Sequence, residues 1–127
     1  MSTKLVYILA AFALSACASG GHGTPQRDYN LITQSEITAQ NGTNAWDVIS
    51  HLRPQFLKTR GRTSIQTATV ASEYAAVFLD GQFFGDLNSL RNIASITVRE
   101  IRYLPVTEAV TRYGMQYGNG VIDIRTR

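Results

Sequence analysis

The sequence is poor in the residues that build covalent frameworks and metal sites. It contains one cysteine, two histidines and three prolines among 127 residues. A single cysteine excludes a disulfide within the chain, and two histidines with scattered carboxylates give no metal-ligand spacing. Charged residues make up 17%, below the usual quarter or so, whereas 44% are hydrophobic. This composition argues against a disordered chain and suits one compact domain.

The positive charges are few and scattered. The formal net charge is +3, and the densest basic group is Lys58, Arg60 and Arg62. A nucleic-acid-binding protein usually clusters its Lys and Arg residues, so we expect no nucleic-acid partner. For the small basic group, a solvated loop or strand face is favoured over a phosphate site.

The N-terminal segment has the pattern of a signal peptide. Lys4 precedes an apolar run at residues 5–14, which is too short to span a bilayer as a helix and has the length of a signal-peptide core. Leu14-Ser15-Ala16-Cys17 then resembles the bacterial lipobox. An ordinary secretory signal with an incidental cysteine is the weaker alternative, because lipidation of Cys17 also explains an odd cysteine in an exported protein.

Three regions follow from this interpretation. Residues 1–16 are the lipoprotein signal peptide, residues 17–26 are the lipidated cysteine and a flexible Gly-rich tether, and residues 27–127 are one folded domain. Several acyl chains on one cysteine would hold the protein on a membrane almost permanently. The resemblance to lipoproteins also implies an outer-membrane, periplasm-facing location, because Ala18 stands where Asp favours inner-membrane retention.

Helix and strand signals alternate along residues 27–127. Asn44 is a suitable N-cap, apolar residues at 45, 48, 49 and 52 share one helical face, and Pro54 ends that helix at Arg53. Further helical turns are expected after Asp86 and at residues 107–113, the latter closed by a left-handed Gly114. The predicted strands lie within residues 29–39, 56–63, 75–79, 98–104 and 121–126, and residues 64–73 are predicted to be a loop.

Two details of the strands are specific. Asp80-Gly81 is a turn signal, after which Phe83 and Phe84 are expected to return toward the core. In the last strand Ile122 and Ile124 share one face and are expected to be core residues, while Asp123 and Arg125 fall on the other, exposed face. The predicted fold class is therefore α+β (α/β-like), with a small mixed sheet and two or three short helices.

An ordered set of motifs resembles the plug domain of TonB-dependent outer-membrane receptors. Three segments each resemble a plug motif: the predicted helix with its cap and proline stop at residues 44–54, the strand and turn at residues 77–81, and residues 90–104. Tyr113-Gly114 and residues 118–127 resemble its closing signature. The order and spacing hold over about 85 residues. The resemblance implies a plug-like fold and an envelope location.

The departures from that family limit the function it implies. In full receptors a barrel of about 22 strands follows the plug, whereas this chain ends at Arg127, so we expect no channel activity. We see no energy-coupling box, and Leu104-Pro105 replaces the usual Gly-Pro. A lipobox is also atypical of receptors. The resemblance therefore implies a partner, such as an outer-membrane barrel or another envelope protein.

Catalytic and ligand-binding patterns are weak. Ser50 and His51 are neighbours without an identifiable third group, His22 lies in the tether, and Asp80 and Asp86 are typical of turn and cap chemistry. We therefore expect no enzyme, no cofactor and no metal. The tyrosines offer an aromatic binding surface, but core or turn packing is favoured for Tyr103 and Tyr113.

Two functions remain open from the sequence. The first is a non-catalytic interaction module that contacts outer-membrane receptor or transport proteins, through the loops at residues 64–73 and 81–86. The second is a periplasm-facing lipoprotein that binds a small solute of unknown identity. An exposed edge strand or apolar patch would favour the first, and an apolar pocket with converging polar groups would favour the second.

Overall fold

The computed structural model describes residues 27–59 and 73–127. They form a mixed α+β domain with one five-stranded sheet. The strands are β1 (Leu31–Ile32), β2 (Ala76–Leu79), β3 (Gln82–Gly85), β4 (Val98–Leu104) and β5 (Val121–Thr126), and the α-helices are α1 (Gln34–Gln40), α2 (Ala45–Leu52) and α3 (Val106–Tyr113). None of these helices has the length and apolarity that crossing a bilayer requires. The predicted fold class is confirmed.

The sheet is ordered β1-β4-β5-β2-β3, with β5 in the centre. β5 pairs parallel with β2 and antiparallel with β4. Ile122 and Ile124 are fully buried on one face of β5, as predicted. That face, the first face, packs on α1 and α2 through a cluster that includes Ile37, Val48 and Ile49.

Local chemistry explains why α2 begins and ends where predicted. The Asn44 side chain accepts a hydrogen bond from the backbone N–H of Asp47 at 3.0 Å, which satisfies an N–H that the helix leaves open. Pro54 follows Arg53 and opens a 3₁₀ turn, Pro54–Leu57. This turn corrects the predicted strand at residues 56–63. Proline fixes φ and lacks the backbone N–H that a strand needs. Phe56 belongs to the 3₁₀ turn and packs into the core from there. Residues 60–63 and most of the predicted loop at 64–73 lie outside the described residues.

The short strand predicted within residues 29–39 is confirmed as Leu31–Ile32. Helix α1, which was not predicted, starts two residues later. Glu36 accepts a hydrogen bond from the Thr33 backbone N–H at 2.9 Å, as in a capping box. The same carboxylate contacts Arg53 at 3.2 Å. Local capping therefore favours a helix over a longer strand.

Two helical predictions near the second half of the chain are confirmed in outline. The Asp86 side chain accepts hydrogen bonds from the backbone N–H groups of Asn88 and Ser89 and begins a 3₁₀ helix, Leu87–Asn92. Gly114 closes α3, but at φ 109° and ψ 167° rather than in the left-handed helical region. A positive φ of this kind favours glycine.

Candidate interaction surface on the second sheet face

The second sheet face carries one row of residues that crosses all five strands. Register pairs join Phe83 to Phe78, Phe78 to Asp123, Asp123 to Arg102, and Arg102 to Leu31. Because side chains alternate along a strand, this row points away from the core formed with α1 and α2. It places two aromatic rings next to a line of charges.

Helix α3 covers only part of this face. Ala109 of α3 is buried against Leu104, Val121 and Phe78, and the Tyr113 ring stacks on the Phe78 ring with centroids 3.9 Å apart. This apolar contact forms a second, smaller core. The charged part of the row lies beside it.

Asp123 is buried, although the alternation in the sequence predicted an exposed carboxylate. It does lie on the predicted face, and its side chain is only 3% exposed. Asp123 is buried because side chains of α3 pack over β5, a tertiary contact that the alternation along the strand does not show. Asp123 is the buried charged residue of the described chain.

The contacts of Asp123 are long. Its Oδ2 lies 3.6 Å from Arg112 Nη1 and 4.0 Å from Arg125 Nε, whereas charge-assisted hydrogen bonds measure about 2.7–2.9 Å. Its Oδ1 has no hydrogen-bond partner among the described residues. Burial raises the pKa of Asp123, and the charges of Arg125 and Arg112 offset this only in part. Burial and the Asp123 charge likewise raise the pKa of Tyr113.

The edge strand β3 ends the row with exposed aromatic rings. Phe83 is 60% exposed and Phe84 is 41% exposed, so the expected return of both rings to the core is wrong. Both rings are exposed because β3 lies at the edge of the sheet and has a neighbouring strand on one side only. A register shift between Val77 and Phe78 also leaves Phe84 without a partner on β2.

The aromatic rings at this edge form one connected group. The Phe83 ring centroid lies 5.8 Å from that of Phe78 and 6.3 Å from that of Tyr117. Tyr113 and Tyr117 therefore belong partly to the smaller core and partly to the surface. Tyr103, by contrast, is buried and stacks on Phe56 in the main core.

The Asp80-Gly81 turn that leads into β3 is tied to the end of β5. Asp80 adopts a positive φ of 50°. Its carboxylate accepts hydrogen bonds from the Thr126 backbone N–H at 2.9 Å and from the Thr126 hydroxyl at 2.7 Å. The backbone hydrogen bond from Thr126 is the main cause that lowers the pKa of Asp80. The edge strand is thus held in place by a turn.

The remaining polar residues singled out in the sequence form ordinary local contacts. His51 Nδ1 lies 2.7 Å from the Asp47 carbonyl oxygen and 3.5 Å from Ser50 Oγ, and that hydroxyl donates to the same carbonyl. Within residues 27–59 and 73–127, no three His, Cys, Asp or Glu side chains are grouped as metal ligands. Cys17 and His22 lie outside the described residues.

Comparison of the chain with protein-family models, with curated proteins and with solved structures gave no match. The resemblance to receptor plugs therefore stays a prediction.

Proposed function

We propose that the protein is a non-catalytic lipoprotein, held on the outer membrane by lipid on Cys17, whose plug-like domain contacts outer-membrane receptor or transport proteins. The lipobox supports the anchor, and the ordered plug motifs support the choice of partner class. Contact with another envelope protein is the broader form of the same proposal.

The observation that carries the proposal is the aromatic edge of the sheet. Gln82–Gly85 contains no charged residue, and both of its phenylalanines are exposed. Soluble proteins usually guard an edge strand with charge or proline, and a cluster of exposed apolar side chains marks an interaction site. Strand β3 itself contains neither a charged residue nor a proline.

The alternative, a small-solute-binding lipoprotein, has less support. Two surface depressions of the described residues lie along Gln34, Ser35, Thr38 and Ala39 and along Arg27, Asp28, Tyr29 and Asn30. Both are open to solvent rather than enclosed. A solute site usually buries most of its ligand in an enclosed apolar pocket. The geometry therefore favours a protein partner.

The test is affinity isolation of the tagged full-length chain from membranes. Phe83→Ser removes an exposed ring, and Ile96→Ser is the matched control, because Ile96 is 73% exposed in a different element. We expect co-purifying envelope proteins to be lost with Phe83→Ser and kept with Ile96→Ser. Identical recovery from all three forms would overturn the proposal.

A further inference from the structure

The position of Asp123 is not explained by stability. Asp123 is buried with no hydrogen-bond partner for Oδ1, and distant ion pairs at Oδ2 return only part of the lost solvation, so burial is the main cause that raises its pKa. Buried charges of this kind are commonly kept for function. The neighbouring charges indicate which function.

Asp123 lies beneath two arginines that face outward. Arg112 comes from α3 and Arg125 from β5, and their side chains are 46% and 49% exposed. Both approach the same oxygen, Oδ2, at distances too long for a strong hydrogen bond. A guanidinium group carries five N–H donors, so both arginines keep donors for another acceptor.

The negative charge of Asp123 lies deeper in the protein than the positive charges of Arg112 and Arg125. The carboxylate of Asp123 is buried and the two guanidinium groups are outside it, so a partner approaching the second face meets positive charge first. Glu100 contacts Arg125 at 3.6 Å but is itself 28% exposed. Arg102, the register partner of Asp123, contacts Asp28 at 3.5 Å. Of the two arginines at Asp123, Arg112 contacts that carboxylate alone, whereas Arg125 also contacts Glu100, so we take Arg112 as the centre of the cationic surface.

Aromatic rings lie on the same sheet face as the arginines, and Phe83 at the edge of the sheet is the exposed one in this row. Phe78 is the register partner of Asp123, and its ring leads through Phe83 and Tyr117 to the exposed edge. A ligand that fits both halves must carry a carboxylate next to an apolar side chain. Arginine matches a carboxylate in planar, two-bonded geometry, which a neutral amide reproduces poorly.

We propose that Arg112 and Arg125 form a recognition site for a partner protein segment that presents a carboxylate beside an apolar side chain. Asp123 is the positioning residue, because its charge keeps two mutually repelling guanidinium groups together. The proposal rests on the proposed function and specifies the chemistry of the partner.

The test uses the full-length protein in detergent and a fluorescein-labelled peptide amide of alternating Leu and Glu. The same peptide with Gln in place of Glu is the ligand control. We expect Arg112→Gln to weaken binding of the Glu peptide about tenfold, equivalent to about 1.4 kcal/mol. Binding of the Gln peptide should be at that weaker level for every form. Lys58→Gln, an equal change of charge at an exposed residue elsewhere, should bind as wild type.

Asp123→Asn separates positioning from structure. It should weaken binding of the Glu peptide like Arg112→Gln, while the denaturation midpoint does not fall. A purely structural carboxylate would lower the midpoint instead. Equal binding of the two peptides, or no binding of either to wild type, would overturn the inference. Wild-type binding by Asp123→Asn would overturn the positioning role.

The same variants distinguish this inference from the proposed function. If Phe83→Ser loses the co-purifying envelope proteins but Arg112→Gln keeps them, the interaction function stands and the carboxylate site is wrong. If sedimentation shows self-association of wild type that Arg112→Gln abolishes, the occupant is a second copy of this chain, which also overturns the inference.

Discussion

Phe78 of β2 and Asp123 of β5 are register partners in the parallel pair at the middle of the sheet. An aromatic ring and a carboxylate therefore lie side by side on the face opposite the main core. The ring is covered by Tyr113 of α3, and the carboxylate is approached by Arg112 of the same helix. One short helix thus buries both an apolar residue and a charge.

Replacing Asp123 by Asn should preserve or raise stability. The folded-state pKa of Asp123 is raised by burial, so the favourable contribution of its protonated form is present below its ordinary pKa and is lost as pH rises through the folded value. At neutral pH the variant should be more stable, by an amount on the order of 1 kcal/mol. Chemical denaturation at neutral and acidic pH measures this. A clear loss at neutral pH would mean that the ion pairs outweigh burial.

Replacing Asp80 by Asn should change the pH dependence in the opposite sense. The pKa of Asp80 is lowered, mainly by its hydrogen bond from the Thr126 backbone. Its contribution is therefore present above its ordinary pKa and is lost as pH falls through the folded value. Asn tolerates the positive φ at this turn, so the change isolates the charge. Midpoints measured across acidic pH should fall less steeply for the variant; an unchanged slope would contradict the role of Asp80.

The sequence predicted the features that depend on local residues and missed those that depend on tertiary packing. Helix α2 was predictable because its cap, its apolar spacing and its proline stop are all local. Strand β5 was predictable because Ile122 and Ile124 alternate with charged residues. The burial of Asp123 was not, because it depends on α3 packing across the sheet. The predicted burial of Phe83 and Phe84 was wrong for a similar reason. Their hydrophobicity does not show that β3 is an edge strand, which depends on the order of strands in the sheet.

Truncating Ile124 to Ala should cost about 2–5 kcal/mol, the usual range for a buried aliphatic side chain. Ile124 is fully buried in the central strand. Arg127→Ala is the control, because the Arg127 side chain is exposed and only its backbone N–H bonds to the Thr97 carbonyl. Thermal or urea unfolding compares the two. If Ile124→Ala melts as wild type but loses its envelope partner, the last strand acts as a ligand and not as core.

Cys17→Ser should abolish lipidation. Cys17 is the single cysteine of the chain and follows the lipobox residues Leu14-Ser15-Ala16. We expect an unprocessed precursor that no longer fractionates as a mature membrane lipoprotein. Metabolic labelling with an alkynyl fatty acid measures the change. Equal label on the wild-type and variant chains would mean that Cys17 is not the lipidated residue.

Photo-crosslinking in intact cells tests the interaction most directly. Benzoylphenylalanine at position 83 keeps an aromatic ring at the exposed edge of the sheet, and the same group at position 96 is the control on another exposed apolar residue. We expect a defined crosslink to an outer-membrane protein from position 83 and none from position 96. No crosslink from position 83, or the same products from both positions, would contradict an interaction through the aromatic edge.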